Sequence, residues 1–380
     1  MNNKNEIFPE TKFQSFYTNG NSLQLECGEQ LSNVTVAFQT HGELNKNGDN
    51  VILINHALTG NAHVTGKVGQ KEIDNTKHIP QLGKYNEMFF QKDGWWAPVV
   101  GPGLAIDTNK YFVICPNVLG SCYGTTGPSS INSANQKPFN MDFPEITIRD
   151  MVKVQKELLD FLGVINIKFA IGGSLGGMQV LEWAIMNGDM VESILPLGTS
   201  AAHSSWAIGL NKISRSAIMN DPKWESGNYT EQPETGIGLA REVAMLSYRS
   251  YESFNEKFNR RISNKNKNEF EVESYLNYQG QKLTKRFDAN SYLYLSRAMD
   301  LHDVGKGRGG IKKALSEIKC KTTCVGISSD ILYPPDEQKE IAKNIPNANY
   351  VEINSPHGHD AFLIEFEQLG DIIKTVLNDC

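Results

Sequence analysis

Three side chains that lie far apart in the chain have the types and settings for nucleophilic chemistry: Ser174, Asp330 and His359. A serine hydroxyl is a weak nucleophile near neutral pH and needs a base within hydrogen-bond reach. That base needs an acid to fix its tautomer and stabilise its charged form. Ser174 sits in Gly172-Gly173-Ser174-Leu175-Gly176-Gly177, a G-x-S-x-G turn. Before it runs an apolar stretch with Ile165, Ile167, Phe169 and Ile171; after it come Met178, Leu181, Ala184 and Ile185 at helical spacing. Strand, tight turn and helix in that order pinch the serine into a strained backbone and lift its hydroxyl above the sheet. The bare pattern fits a Gly-rich strand-to-helix connection equally well, and the chain holds 33 glycines, so the serine gains meaning only with a base and an acid.

Both are present downstream. The apolar run Thr322 to Ile327 closes at Ser328-Ser329-Asp330, and the run Tyr350 to Ile353 leads to Ser355-Pro356-His357-Gly358-His359-Asp360. Serine, then acid, then histidine, each in a loop after a strand, is the order of the α/β-hydrolase arrangement. The competing roles are structural: Asp330 as a cap for the helix opened by Pro334 and Pro335, and His359 as a packing residue at the last helix. His357 is the rival base; His359 is favoured because it abuts a helix starting at Asp360, though spacing leaves both open. Two main-chain N–H groups would hold the oxyanion, that of Leu175 directly after the serine and that of Leu58. Leu58 lies in the loop after the buried-type run Val51 to Asn55. His56 and His63 share that loop but precede the serine, and they read as loop-ordering residues.

The elements that must position these groups can be read outward from them. Strands are expected at Val34 to Thr40, Val51 to Asn55, Tyr111 to Cys115 and Val191 to Leu197, with a helix over Ile146 to Leu162. Residues 64 to 110 show no core strand and read as an excursion packed by Trp95 and Trp96. From about Ala201 to Lys313 the composition turns charged, polar and aromatic, with helical stretches at Gly238 to Tyr248 and Ser291 to Asp300. Roughly a hundred residues are too many for a structureless loop, so a helical cap over the sheet is expected there. Asn264 to Asn268, which includes Lys265, reads as a polar linker inside it. The fold class is α/β, a mostly parallel central sheet with a helical lid: a core of residues 1–200 and 314–380 and an insertion of 201–313.

Composition bounds the function. With 380 residues, 39% of them hydrophobic, the chain can bury a sizeable core. Its 37 basic and 43 acidic residues leave a net charge of −6, which argues against a nucleic-acid or anionic-membrane partner. Met1 to Glu6 is polar, without the apolar core of a signal peptide, and no run nears the ~18 apolar residues of a membrane span. A cytoplasmic enzyme is the expectation. Cysteines 27, 115, 122, 320, 324 and 380 are scattered and form no C-x-x-C; Cys320 and Cys324, with three residues between them beside an apolar run, read as core thiols rather than a metal site. Gly305 to Gly310 only loosely resembles a dinucleotide fingerprint, with no strand before it, and reads as a turn.

Several stretches together resemble one family, the homoserine O-acetyltransferases. They are Asn55 to Gly60, Gly94-Trp95-Trp96, Val100 to Gly103, Ile106-Asp107-Thr108, Asn117 to Gly120, Gly124 to Pro128, Phe143-Pro144, Thr147 to Asp150, the Gly172 to Gly177 turn and His359 to Phe362. The likeness extends over nearly the whole chain and is weakest in residues 201 to 290. It implies an α/β-hydrolase-fold acyltransferase of methionine biosynthesis. Acetyl-CoA would be its acyl-donor substrate and L-homoserine its acceptor, with no permanently bound cofactor and no metal, and a homodimer is expected. It also implies Ser174 as nucleophile, Asp330 as acid and His359, not His357, as base. Arg241 would clamp the amino-acid carboxylate and Asp360 would face its ammonium; from spacing alone these are a solvated helix arginine and a helix-start residue. The chain departs from the family pattern at Leu175, where many members carry methionine, and at Ser121 and Asn61, where glycine and aspartate are common. Those changes leave the acyl group open between acetyl and succinyl; separately, the sequence does not rank homoserine against serine as acceptor. A serine esterase with the same triad is the alternative activity, and a catalytically silent relative that only binds is the non-enzymatic one.

Overall fold

A computed structural model describes residues 7–264 and 266–378. The polar opening Met1 to Glu6, Lys265 of the expected linker and Cys380 lie outside the described residues. Eight strands form the central sheet: β1 Lys12–Phe16, β2 Val34–His41, β3 Val51–Asn55, β4 Phe112–Pro116, β5 Ile167–Gly173, β6 Ser193–Leu197, β7 Lys321–Ile327 and β8 Asn349–Ile353. Their spatial order is β1-β2-β4-β3-β5-β6-β7-β8. β2 runs antiparallel to both its neighbours; every pair from β4 to β8 is parallel. This is the α/β-hydrolase fold, as expected from the chain's pattern.

The innermost strand explains why the sheet is two-sided. All five residues of Val51–Asn55 are buried. Successive side chains of a strand point to opposite faces, and here Val51 and Leu53 join one apolar cluster while Ile52 and Ile54 join the other. A strand covered on both faces needs an unbroken apolar run rather than alternation. On the first face lie the helices α1 Ile148–Phe161 and α2 Leu175–Met186. A reciprocal capping box between Thr147 and Asp150 starts α1, which is why it begins two residues later than the apolar pattern suggests.

Between β6 and β7 the chain forms α3 Ser205–Met219, α4 Glu234–Tyr248, α5 Tyr251–Phe258, α6 Glu271–Thr284 and α7 Ala289–Asp300. Side-chain caps from Ser204, Ser250 and Asp288 start α3, α5 and α7. After β7 come α8 Pro335–Asn344 and, last, α9 Phe366–Asn378. The α9 residues Leu369, Ile373 and Val376 face the second apolar cluster beside Trp96.

Four features differ from the sequence expectations. The strand β1 has no clear apolar alternation and is an edge strand, half exposed, so periodicity could not reveal it. Residues 64 to 110 hold two helices, Gln70–Thr76 and Pro80–Met88, and a small separate pairing of Val100–Gly101 with Ile106–Asp107. Ile165 is outside β5 and 69% exposed, so the strand starts at Ile167. The last α-helix begins at Phe366; residues Gly358–Leu363 form a 3₁₀ turn instead. Gly358 enters that turn at φ 68°, and a Cβ there would lie 2.7 Å from the Arg249 backbone. Only glycine permits that approach directly before His359.

Candidate active site

Ser174 occupies the turn between β5 and α2 with φ 58° and ψ −124°, a conformation that costs a non-glycine residue ~1–3 kcal/mol. The surrounding packing enforces it. The Ser174 N–H donates to the Leu197 carbonyl at 2.9 Å and its carbonyl accepts from Thr199 Oγ1 at 2.9 Å. A Cβ on Gly176 would meet the Asn55 carbonyl oxygen at 2.1 Å, so β3 and α2 touch only because that residue is glycine.

His359 and Asp330 meet from different loops. The imidazole Nδ1 lies 2.7 Å from Asp330 Oδ2, with both side chains buried. Asp330 Oδ1 accepts the N–H groups of Leu332, at 2.8 Å, and Tyr333, at 3.0 Å. Asp330 does not cap the helix opened by Pro334 and Pro335, whose start has no side-chain cap; its Oδ1 orders the turn before it, and its other oxygen holds the histidine. Burial alone would lower the His359 pKa; the Asp330 charge and hydrogen bond, with Asp360 adding, outweigh it and raise the pKa above the ordinary histidine value. His357 lies outside the cavity, its Nδ1 buried without a partner.

Ser174 and His359 line one cavity of about 210 Å³, together with Leu58, Arg241 and Asp360. Among the described residues no hydrogen bond joins Ser174 to His359, a looseness common in ligand-free sites. Leu175 is the first residue of α2, so its N–H has no helical acceptor. The Leu58 N–H likewise donates to no protein group among the described residues. Both candidates for an oxyanion site thus have an uncommitted donor. His56 is fully buried between the Ala57 carbonyl, 2.8 Å from Nδ1, and the Val118 N–H, 3.2 Å from Nε2. Burial lowers its pKa to about 4, so it stays neutral and orders the loop. His63 is held in the same way by the Gly66 carbonyl at 2.9 Å.

The cavity carries charges that sequence spacing did not single out. Arg249 pairs with Asp360 at 3.3 Å, so the Asp360 carboxylate already has a cationic neighbour. Burial raises the Asp360 pKa; Arg241, Arg249 and His359 oppose this, Asp330 adds to it, and the net shift is upward. The Arg241 guanidinium lies 5.4 Å over the Tyr248 ring; seven residues apart, the two share one face of α4. Arg286 donates to the Thr59 carbonyl at 2.9 Å and to the Tyr123 hydroxyl, which ties the Leu58 loop to the segment before α7. Nothing in Lys285-Arg286-Phe287 marks that role. Tyr333, whose ring packs on His359 with centroids 5.2 Å apart and whose N–H binds Asp330, also went unmarked, although its position three residues after Asp330 in a tight turn offered a signal. The Gly305 to Gly310 segment is a turn held by Arg308 on Glu182 at 2.8 Å, and Cys115, Cys122, Cys320 and Cys324 are buried thiols whose pKa burial pushes up.

A family model described as the alpha/beta hydrolase fold matches residues 50–366. A homoserine O-acetyltransferase of Moorella thermoacetica is 49% identical over 375 residues, 96% of each chain. One of Carboxydothermus hydrogenoformans is 49% identical over 93% of this chain and 92% of that one. The chain belongs to the homoserine O-acetyltransferase family. Among solved structures, the homoserine O-acetyltransferase of Bacillus anthracis superposes with a TM-score of 0.86 at 27% identity, over 98% of both chains. Esterase E22 superposes with a TM-score of 0.85, also at 27% identity, over 97% of this chain and all of that one. Membership in this family therefore comes with a scaffold that a hydrolase of esters also uses.

Proposed function

We propose that this chain transfers the acetyl group of acetyl-CoA to the hydroxyl of L-homoserine by a ping-pong mechanism, as a step of methionine biosynthesis. The observation that carries the reading is the convergence, in a member of this family, of Ser174, the His359–Asp330 pair, Arg241 and Asp360 on one cavity. His359 takes the Ser174 proton as Oγ attacks the thioester carbonyl. The oxyanion is held by the Leu58 and Leu175 N–H groups, CoA leaves as the thiol with the proton from His359, and an acetyl-serine remains. The homoserine hydroxyl then gives its proton to His359 while its oxygen takes the acetyl group, and the proton returns to Ser174. Arg241 binds the amino-acid carboxylate, and Asp360, held by Arg249, faces the ammonium.

Water competes with homoserine for the acetyl-serine, so transfer requires restricted solvent access and a bound acceptor. Residues 201–313 act as the lid over the core of 1–200 and 314–380; Arg241, Tyr248 and Arg286 reach the cavity from that segment, which supports the role. A homodimer is supported by Trp206 with Ile213 on α3 and Leu239 with Leu246 on α4. Each pair is seven residues apart and exposed, an apolar stripe that a second copy can bury. The enzyme needs no resident cofactor, and its substrates and charge balance fit the cytoplasm. No helix among the described residues is long and apolar enough to cross a membrane.

A matrix of acetyl-CoA and succinyl-CoA against homoserine, serine and water, read as free thiol, tests the assignment. Fast thiol release only with acetyl-CoA and homoserine is expected. Preference for succinyl-CoA or serine would reassign the substrates. The likeness to esterase E22 favours one second reading, ester hydrolysis, which rapid turnover of a simple acetyl ester without an acceptor would support. Ser174→Ala should abolish covalent labelling by radioactive acetyl-CoA, and label that persists would reject the nucleophile.

A further inference from the structure

Two lysines stand on one aromatic wall of the cavity, and neither has a carboxylate partner. Phe89, directly after the helix Pro80–Met88, lines the same cavity as Ser174. Its ring stacks on that of buried Tyr85 with centroids 4.5 Å apart, which fixes its plane. Over the Phe89 ring lie two ammonium groups, Lys92 Nζ at 5.6 Å and Lys282 Nζ at 5.5 Å from the centroid. Lys92 is exposed in the loop before Trp95; Lys282 is half-buried in the last turn of α6, in the lid. Among the described residues neither ammonium makes an ion pair or a hydrogen bond.

Charges of one sign gathered without a counter-charge cost free energy, and the attraction of a ring face is too weak to replace one. Arg241 and Arg286, which line the cavity, add two more cations, and neither has a carboxylate within ion-pair distance among the described residues. Burial first, then the Arg286, Lys92 and Arg241 charges, lower the Lys282 pKa. In a chain of net charge −6 this cluster is a local exception, and its N–H donors are free for an anion. The size of the cavity says where that anion lies. About 210 Å³ has room for an amino acid and the thioester end of a donor, but not for a whole CoA. With the pantetheine arm reaching Ser174, the nucleotide, its pyrophosphate and its 3′-phosphate must stay outside.

We infer that Lys92 and Lys282 form the binding site for the phosphate groups of CoA, with Phe89 as the wall along which the pantetheine arm enters. The inference rests on acetyl-CoA being the acyl donor. Each lysine acts as a point charge on a phosphate, one from the core and one from the lid.

The experiment is calorimetric titration of the full-length protein with CoA itself, which needs no turnover. Lys92→Gln and Lys282→Gln should each weaken CoA binding about three- to tenfold, and the double variant about ten- to hundredfold, as expected for the loss of one and two charge-assisted contacts at a partly exposed site. Pantetheine, which has the arm but no nucleotide, should bind all of these proteins alike. Lys282→Arg should bind CoA within about twofold of wild type, because it keeps the charge. Lys257 is the control, an exposed lid lysine whose ammonium lies 4.5 Å over Tyr275, a ring that does not line the cavity. Lys257→Gln should leave CoA binding unchanged.

Unchanged CoA binding by the double variant would overturn the inference. Equal weakening of CoA and pantetheine would overturn it too, as the mark of a structural effect, and so would an equal loss in Lys257→Gln, as the mark of general charge attraction. If CoA binding depends on the two lysines but acetyl-CoA releases no thiol with homoserine, the reaction assignment fails and the phosphate site stands. If thiol is released and the double variant binds CoA as wild type does, only the phosphate site fails.

Discussion

Replacing Asp330 by asparagine probes the geometry of the histidine more sharply than any deletion. The Leu332 and Tyr333 N–H groups, 2.8 and 3.0 Å from Oδ1, require an oxygen at that position. The amide NH₂ of the variant must therefore occupy the Oδ2 position, 2.7 Å from His359 Nδ1. There it donates to Nδ1, moves the imidazole proton to Nε2 and leaves no lone pair to accept the serine proton. Flipping the amide back would leave two buried N–H donors unsatisfied, about 2–3 kcal/mol net, and the lost charge beside the imidazolium is worth about 2–3 kcal/mol more. Together, about 4–6 kcal/mol corresponds to a loss of roughly 10³–10⁴ in kcat. The assay is free-thiol release from acetyl-CoA with homoserine, with thermal unfolding measured alongside to show that the variant folds. The wild-type rate should also rise with pH through a limb above the ordinary histidine range, because Asp330 holds the raised His359 pKa and only the neutral imidazole is a base. A folded Asp330→Asn enzyme within tenfold of wild type would refute the assignment of Asp330 as the group that fixes the tautomer.

Arg241→Ala should raise the KM for homoserine by about 30-fold or more, since a half-buried charge partner of a carboxylate is lost, and leave that for acetyl-CoA nearly unchanged; equal effects on both would reject the clamp. Gly176→Ala should yield little soluble protein, because its Cβ would meet a backbone oxygen at 2.1 Å and backbone cannot yield as a flexible side chain does; its cost is at or above the ~3 kcal/mol upper end of ordinary overpacking. Normal expression and Tm would contradict the close contact of β3 with α2. Glu337→Gln should raise the Tm relative to wild type, by an amount that grows from pH 5 to pH 8. Burial and the Asp330 charge, against a Ser204 hydrogen bond, push the folded-state pKa of Glu337 up to about 7, so the folded protein holds a proton the unfolded chain releases. That contribution to stability is present at low pH and lost as pH rises through the folded value. A Tm difference that does not change with pH would count against it.

The chain's pattern already carried most of the fold and brought Ser174, Asp330 and His359 forward as candidates. Buried parallel strands such as Val51–Asn55 need unbroken apolar runs, and a strand-to-helix turn that lifts a serine leaves no room for side chains at Gly172 and Gly176. Local sterics and period-two burial write such features directly into consecutive residues. Edge strand β1 and the helices of residues 70–88 were not legible because weak amphipathicity leaves their packing to tertiary partners. The choice of His359 over His357 could not come from spacing, two residues apart in one loop. The fold sets the His359 imidazole on Asp330 and leaves His357 outside the cavity. Arg286, Arg249 and Tyr333 belong to the same class. Their partners lie tens to hundreds of positions away, and a hydrogen bond made across such a separation depends on how the elements pack, which no local pattern records.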